Sequence, residues 1–360
     1  MSLDLAPSPL AAPADAPAEP ARRGLTVAIV GATGAVGAEL IDQLERRDFP
    51  VGELRLLASP RSAGRSLAFK GRPVVVQALD EDAFDGVDVA FFSAGAGVSR
   101  RFGPIAAARG ALVVDNSSAF RMDEGTPLVV PEVNGQDLPA QGSGRLVANP
   151  NCVTAVAVMA LGPLHREVPI RRVIAATYQA ASGAGAAAME ELRASTAAYL
   201  EGHSFQPQVL KHPYAFNLFS HDAAVDPATG YNGEEAKVMD ELRKILGAPD
   251  LRVGITCVRV PVLRAHAMAL TVEFESPLAA ERAREILADA PGVRLVDDVA
   301  ANHFPMPNEA SGRDEVLVGR IRPDTSDPTG CSLALFVVGD QLLKGAALNA
   351  IQIAEAMAER

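Results

Sequence analysis

The feature that most constrains this chain is the string Gly31-Ala-Thr-Gly34-Ala-Val-Gly37, set between two segments of different periodicity. Before it runs Leu25-Thr-Val-Ala-Ile-Val30, continuously apolar and partly β-branched, as a strand buried on both faces requires. After it, residues 38–47 place Leu40, Ile41 and Leu44 on one helical face. Such glycines let the chain turn tightly and let a pyrophosphate sit at the positive end of the helix. A ligand-free glycine turn is the alternative. The position directly after a first buried strand favours a dinucleotide.

The end of the second strand discriminates between dinucleotides. An NAD-binding chain places Asp or Glu there to hold ribose hydroxyls. Here residues 59–65 read Ser-Pro-Arg-Ser-Ala-Gly-Arg, with no acid. Arg61 with Ser59 or Ser62 can hold a 2′-phosphate through charge-assisted hydrogen bonds, which favours NADP(H) over a merely solvated loop.

Short apolar runs recur at 54–58, 74–79, 87–92 and 111–115, several of them separated by helix-compatible or loop segments. This pattern predicts an α/β domain with a doubly wound parallel sheet. Beyond about residue 150 the texture changes. Longer, partly alternating strands at 172–178, 252–260, 266–275 and 332–338 surround helical stretches at 234–246 and 279–288. That mixture predicts an α+β second domain on a mostly antiparallel sheet. Residues 344–360 read as an amphipathic helix through Leu348, Ile351, Ile353 and Met357.

Length and composition narrow the classes. At 360 residues the chain suits two domains. Its 48% hydrophobic and 21% charged residues are the balance of a globular protein. Residues 1–20, with five Pro and six Ala, read as a disordered tail without a secretory or transit signal. The net charge of −11 argues against nucleic acid or an anionic membrane as partner. The longest apolar run, 153–161, is too short for a membrane span and stops at Gly162-Pro163. Three widely spaced cysteines, without zinc spacing, argue against a metal site or disulfide framework and for a reducing cytoplasm.

Cys152 follows Asn149-Pro150-Asn151 and opens a helix-compatible run. The helix dipole there would lower its pKa and favour a nucleophilic thiolate; a buried inert cysteine is the alternative. Cys257 and Cys331 sit in apolar strand patterns and read as core. Of six histidines only His266 lies in a chemically crowded segment, Arg259-Val-Pro-Val-Leu-Arg264-Ala-His266. It is the candidate acid/base for thioester chemistry.

These segments together resemble the aspartate-semialdehyde dehydrogenase family. The likeness runs from about Leu25 to the C-terminus, through GATGAVG (31–37), SPRSAGR (59–65), FFSAGAGVS (91–99), VDNSSAFRMD (114–123), NPNC (149–152), TYQAASGAG (177–185), NGEEAKVMDE (232–241), RVPVLRAH (259–266) and GDQLLKGAALNA (339–350). It implies a Rossmann-type cofactor domain over 23–150, completed by a C-terminal helix in 340–360, and a catalytic and dimerisation domain over 151–339. Cys152 then matches the acyl-thioester nucleophile, Gln179 a residue placing the substrate near the sulfur, and His266 the acid/base. Arg259 matches the clamp on the substrate carboxylate and Glu234 the acceptor of its ammonium. Arg121 and Lys237 match the phosphate-binding pair, with Asn151 beside them. Gly31, Thr33, Gly34, Ala35, Val36, Gly37, Ser59, Arg61, Ser62, Ser182, Gly183 and Gln341 match cofactor contacts. Gln341 and Leu343 depart from the family's usual Asn and Arg. Arg264 has no counterpart role and reads as a surface charge.

The implied activity is NADPH-dependent reduction of β-aspartyl phosphate by a homodimer or homotetramer. Two rivals remain. An N-acetyl-γ-glutamyl-phosphate reductase shares the acyl-phosphate logic but has no use for an ammonium acceptor such as Glu234. A non-catalytic paralogue would be marked by loss of the nucleophile or base, and both are present.

Overall fold

The computed structural model describes residues 24–140 and 145–358; the Ala/Pro-rich tail lies outside the described residues. The first of two sheets contains β1 (Leu25–Val30), β2 (Val51–Ala58), β3 (Ser66–Phe69), β4 (Arg72–Ala78), β5 (Val89–Phe92), β6 (Leu112–Asp115) and β7 (Leu146–Ala148). Their spatial order is β3-β4-β2-β1-β5-β6-β7. Every pairing is parallel except the β3–β4 hairpin. The strand order reverses between β1 and β5, and the glycine string leaves β1 at that switch point.

Burial of both faces explains the unbroken apolar run of β1. Val27 and Ile29 join one core with Leu40, Leu44, Ile351 and Ile353. Ala28 and Val30 join the opposite core with Phe92, Phe102 and Ala106. The helix Leu348–Ala358 therefore completes the layer opened by the helix Ala35–Arg46, more than three hundred residues earlier in the chain. Each fully buried isoleucine there contributes about 1.5–3 kcal/mol.

The second sheet contains β8 (Ile170–Gln179), β9 (Phe219–Ser220), β10 (Arg252–Arg259), β11 (His266–Phe274), β12 (Val293–Leu295), β13 (Val316–Pro323) and β14 (Ser332–Gly339). Its order is β12-β13-β14-β11-β8-β10-β9. Only β8–β10 and β12–β13 are parallel pairs. One face packs on the helices Cys152–Glu167, Gly233–Ile245 and Ala280–Ala288. The other leaves Ile174 and Tyr178 exposed.

Several local expectations are corrected. The apolar run ends at Gly162-Pro163, but the helix that begins at Cys152 continues to Glu167. Every residue from Val153 to Leu164 is buried, and that packing outweighs the hydrogen bond that Pro163 cannot make. A Cβ at position 162 would lie 2.7 Å from Val133, which accounts for the glycine. The C-terminal helix opens with one π turn, Leu343–Ala347, rather than as regular α-helix. Cys257 is fully buried, but Cys331 is partly exposed: it ends a turn held by Asp327, one residue before β14. β13, the strand β3 and the helix Ala186–Leu200 went unread in the sequence.

Candidate active site

The second sheet gathers its chemistry along one rim. Gln179 is the last residue of β8 and Arg259 the last of β10; the parallel register pairs them side by side. His266 is the first residue of the antiparallel β11, opposite Gly339 at the end of β14. Gln341 follows two residues later. Four segments spread over 160 positions thus meet at one edge.

Cys152 opens its helix on that side, and Asn151 caps it. The Asn151 side chain accepts from the Val153 amide at 2.8 Å, while its own amide nitrogen donates to Glu234 at 2.9 Å. A cleft of about 200 Å³ is lined by Cys152, Asn151, Arg121, Ser182, Gly183 and Gln341, with Val36 from the glycine string. A Cβ at Gly345 would lie 2.9 Å from that of Cys152, so the π turn approaches this cysteine closely. π turns within helices recur at functional sites.

Burial, then the charge of Glu234, push the Cys152 thiol up to about 12 despite Arg259, Arg121 and the hydrogen bond from the Val153 amide. These two influences oppose the helix dipole on which the expectation of a thiolate rests. His266 is fully buried, and burial, Arg259 and His221 hold its pKa well below the ordinary histidine value. Its Nδ1 accepts from the Ala180 amide at 3.0 Å, which assigns the neutral ring's proton to Nε2. Among the described residues Nε2 has no hydrogen-bond partner. His266 therefore faces the site as a proton donor.

The helix Gly233–Ile245 carries Glu234, Lys237, Glu241 and Lys244 on one face. Glu234 is buried, which alone would raise its pKa. His221, Asn151, Lys237 and Gln179 together hold it below the usual range. Gln179 donates to it at 3.3 Å, and Lys237, partly exposed, lies 3.7 Å away. Lys237 thus pairs with Glu234. Arg121 is paired elsewhere, donating to Glu241 at 3.0 Å and to the carbonyls of Asn149 and Asn116. Among the described residues these bonds use one N–H on each of its terminal nitrogens, which carry two. Glu241 also accepts from the Asn151 amide at 2.6 Å. Lys244 donates to the carbonyls of Arg121 and Thr126, fixing the loop that presents the guanidinium.

A Cβ at Gly183 would lie 2.9 Å from His266 Nε2 and 3.0 Å from Arg259 Nη1. Gly183→Ala is expected to lower kcat/KM by about 10–100-fold, because both groups must move, while the fold persists. Steady-state kinetics beside a thermal melt check this; wild-type kinetics would refute the close packing.

Gln341 lines the cleft with both ends of its amide engaged. Its Oε1 accepts from Ala265 at 3.0 Å and its Nε2 donates to Ser182. Ala265 has φ +72°, a strained left-handed conformation for alanine, immediately before His266. Leu343 is fully buried in the π turn, where an arginine charge would be costly. Arg264 is not a surface charge: it is half-buried between Glu39 and Asp340, 2.5 Å from each, and ties the first helix to the end of β14. Ser59, Arg61 and Ser62 lie apart from the cleft on a short turn after β2, with Arg61 exposed.

Sequence reasoning missed His221, Asp222 and Glu241. Glu241 was detectable, being seven residues after Glu234 on the same helical face. His221 and Asp222 carry no local signal. No cluster of three or more His, Cys, Asp or Glu side chains suited to a metal occurs among the described residues. No helix among them is long and apolar enough to cross a membrane.

Residues 26–141 match the family described as "Semialdehyde dehydrogenase, NAD binding domain", and residues 161–344 match "Semialdehyde dehydrogenase, dimerisation domain". The aspartate-semialdehyde dehydrogenase of Synechocystis is 52% identical over 93% of this chain and 98% of its own. That of Bacillus subtilis is 46% identical over 93% and 98%. Among solved structures, aspartate semialdehyde dehydrogenase II from Vibrio cholerae superposes with a TM-score of 0.89 at 42% identity, covering 93% of this chain and 99% of that one. The same Vibrio protein has also been solved with ASA, at the same score and identity, covering 93% and 98%. With this fold, this cleft and these near-full-length likenesses, the chain belongs to the aspartate-semialdehyde dehydrogenase family.

Proposed function

We propose that this chain reduces β-aspartyl phosphate to aspartate β-semialdehyde with NADPH and releases phosphate, serving lysine, diaminopimelate, threonine and methionine biosynthesis in the cytoplasm. One observation carries the substrate reading: a buried guanidinium, Arg259, and a buried carboxylate, Glu234, flank the same nucleophile. A planar guanidinium suits a carboxylate, and Glu234 suits the free ammonium of an α-amino acid. An acetylated amine would leave Glu234 without a counter-charge.

The residues present fit the cofactor. The helix Ala35–Arg46 starts with no side-chain cap and no acid in its first turn, and Gly31 has φ +92°. Its free amides suit a pyrophosphate. The glycine string, from Gly31 through Thr33, Gly34, Ala35 and Val36 to Gly37, would hold the phosphates. Ser59, Arg61 and Ser62 would hold the 2′-phosphate, and Ser182, Gly183 and Gln341 the nicotinamide end. When bound, NADPH supplies the hydride.

Cys152 sulfur attacks the acyl carbonyl, the C–O bond to phosphate breaks, and the thiol proton leaves on the phosphate. Substrate ammonium on Glu234 offsets one of the two influences that keep the thiol protonated. Arg121 and Lys237 receive the leaving phosphate. His266 Nε2–H donates to the carbonyl oxygen where negative charge develops. Collapse of the reduced adduct then reforms the C=O bond, breaks the C–S bond and expels the Cys152 thiolate, which takes up from water the one proton that the reduction consumes.

In the oxidative direction, NADP⁺ reduction with aspartate semialdehyde is expected to require phosphate. N-acetyl-glutamate semialdehyde is expected to be turned over at least about a hundredfold less efficiently. Arg61→Ala should raise KM for NADP⁺ about tenfold and leave NAD⁺ unchanged. Folded protein that shows no phosphate-dependent turnover would refute the reading. A second copy of this chain would cover the outer face of the second sheet, where Ile174 and Tyr178 are exposed. The matched dimerisation family over residues 161–344 supports that assembly.

A further inference from the structure

His221 has no part in the scheme above, yet it makes the shortest contact of the Arg259 guanidinium. Arg259 reaches His221 Nε2 with Nη2 at 2.9 Å, Asp222 Oδ1 with Nε at 3.3 Å and the Ala180 carbonyl with Nη1 at 3.4 Å. We infer that His221 is a positioning residue for substrate recognition: its neutral imidazole accepts from Arg259 and fixes the guanidinium that receives the substrate carboxylate. This rests on the assignment of Arg259 as the carboxylate clamp.

The contacts of the ring define its state. A guanidinium can only donate, so Nε2 must offer its lone pair. On the other side Nδ1 faces the Ala223 amide, also a donor, at 3.2 Å. Both ring nitrogens thus face donors, and an imidazolium would set N–H against N–H on both sides. The charged donor is the closer one and takes the lone pair. The remaining proton then sits on Nδ1, which gives up the longer contact from the Ala223 amide, with Asp222 Oδ1 3.8 Å away.

The charges around the ring agree. Arg259 approaches from β10, Glu234 and Lys237 from the helix Gly233–Ile245, and Asp222 from the next position. His266 lies on β11, and Tyr214 beside Arg259 and Asp222. Burial, then Arg259 and Lys237, disfavour the charged ring more than Glu234 and Asp222 favour it, and the pKa falls below the ordinary histidine value. The ring is therefore neutral at neutral pH. Protonation at acid pH breaks the shortest contact of the clamp and sets a second cation against it.

The test is steady-state kinetics with aspartate semialdehyde from about pH 5.5 to 8.5, for wild type, His221→Leu and His221→Gln. Leucine removes the acceptor; glutamine restores one that does not titrate. His221→Leu is expected to raise KM for the aldehyde about tenfold at neutral pH, with kcat within about threefold. His221→Gln should keep KM within about threefold of wild type and flatten its rise at acid pH. A wild-type KM in His221→Leu overturns the inference, as does a glutamine variant no better than leucine or one that keeps the acid rise. If the leucine variant fails to fold, the pH profile of His221→Gln still decides. Arg259→Lys separates the two readings: an unchanged KM there refutes the clamp itself. A raised KM there with indifferent His221 variants refutes only the positioning role.

Discussion

Cys152→Ala is expected to lose about four orders of magnitude or more in turnover while binding NADPH as wild type does. In the proposed scheme the sulfur forms the covalent bond on which every later step depends. Cys257 is fully buried in β10, with its thiol pushed up to about 12 by burial, so it offers no second nucleophile. Kinetics of the aldehyde and phosphate reaction, with a nucleotide titration of the same protein, check both halves. Residual activity within a hundredfold of wild type would remove Cys152 from the mechanism. The state of the thiol is open to the same scrutiny. Burial and Glu234 predict that alkylation of the free enzyme by iodoacetamide still accelerates above about pH 9.

Glu241→Leu should cost about 3–5 kcal/mol of stability, the larger structural effect. The carboxylate is buried, and burial raises its pKa even though Arg121 opposes this. Its removal leaves the buried Arg121 guanidinium uncompensated and the Asn151 amide without an acceptor. Arg121 is then expected to shift, raising KM for phosphate in whatever protein folds. Glu241→Gln keeps an acceptor in place and should cost less, about 1–3 kcal/mol. Urea unfolding midpoints for the two variants provide the measurement. A leucine variant as stable as wild type would show that the pair does not hold the loop.

The cofactor half of the molecule was largely legible in the sequence, because its signals are local. A strand buried on both faces has to be continuously apolar, and the turn that follows has to admit positive φ at Gly31. The β3–β4 hairpin was half seen. β3 is only four residues long and only Phe69 in it is buried, so it leaves little periodicity. In the second domain, β13 was missed although Val316, Leu317 and Val318 are buried in it.

The site divides in the same way. Asn151 as cap and Cys152 as first helical residue follow from four adjacent residues. The partners of the cations do not. Arg121 meets Glu241 across 120 positions, Arg259 meets His221 across 38, and Arg264 joins Glu39 to Asp340 across 225 and 76. Ion pairs between distant segments leave no spacing to read.

The sequence by itself determined the dinucleotide turn, the doubly wound layer and the family, and it singled out Cys152 as the proposed nucleophile. Each rests on short-range geometry or on an ordered series of motifs. Only the tertiary structure decided the protonation of the site. At the sequence level the helix dipole implied an activated Cys152. In the fold, burial and Glu234 oppose it, and the Ala180 amide turns His266 into a donor. Charge states depend on what lies within a few ångströms in space, and the fold alone sets those neighbours.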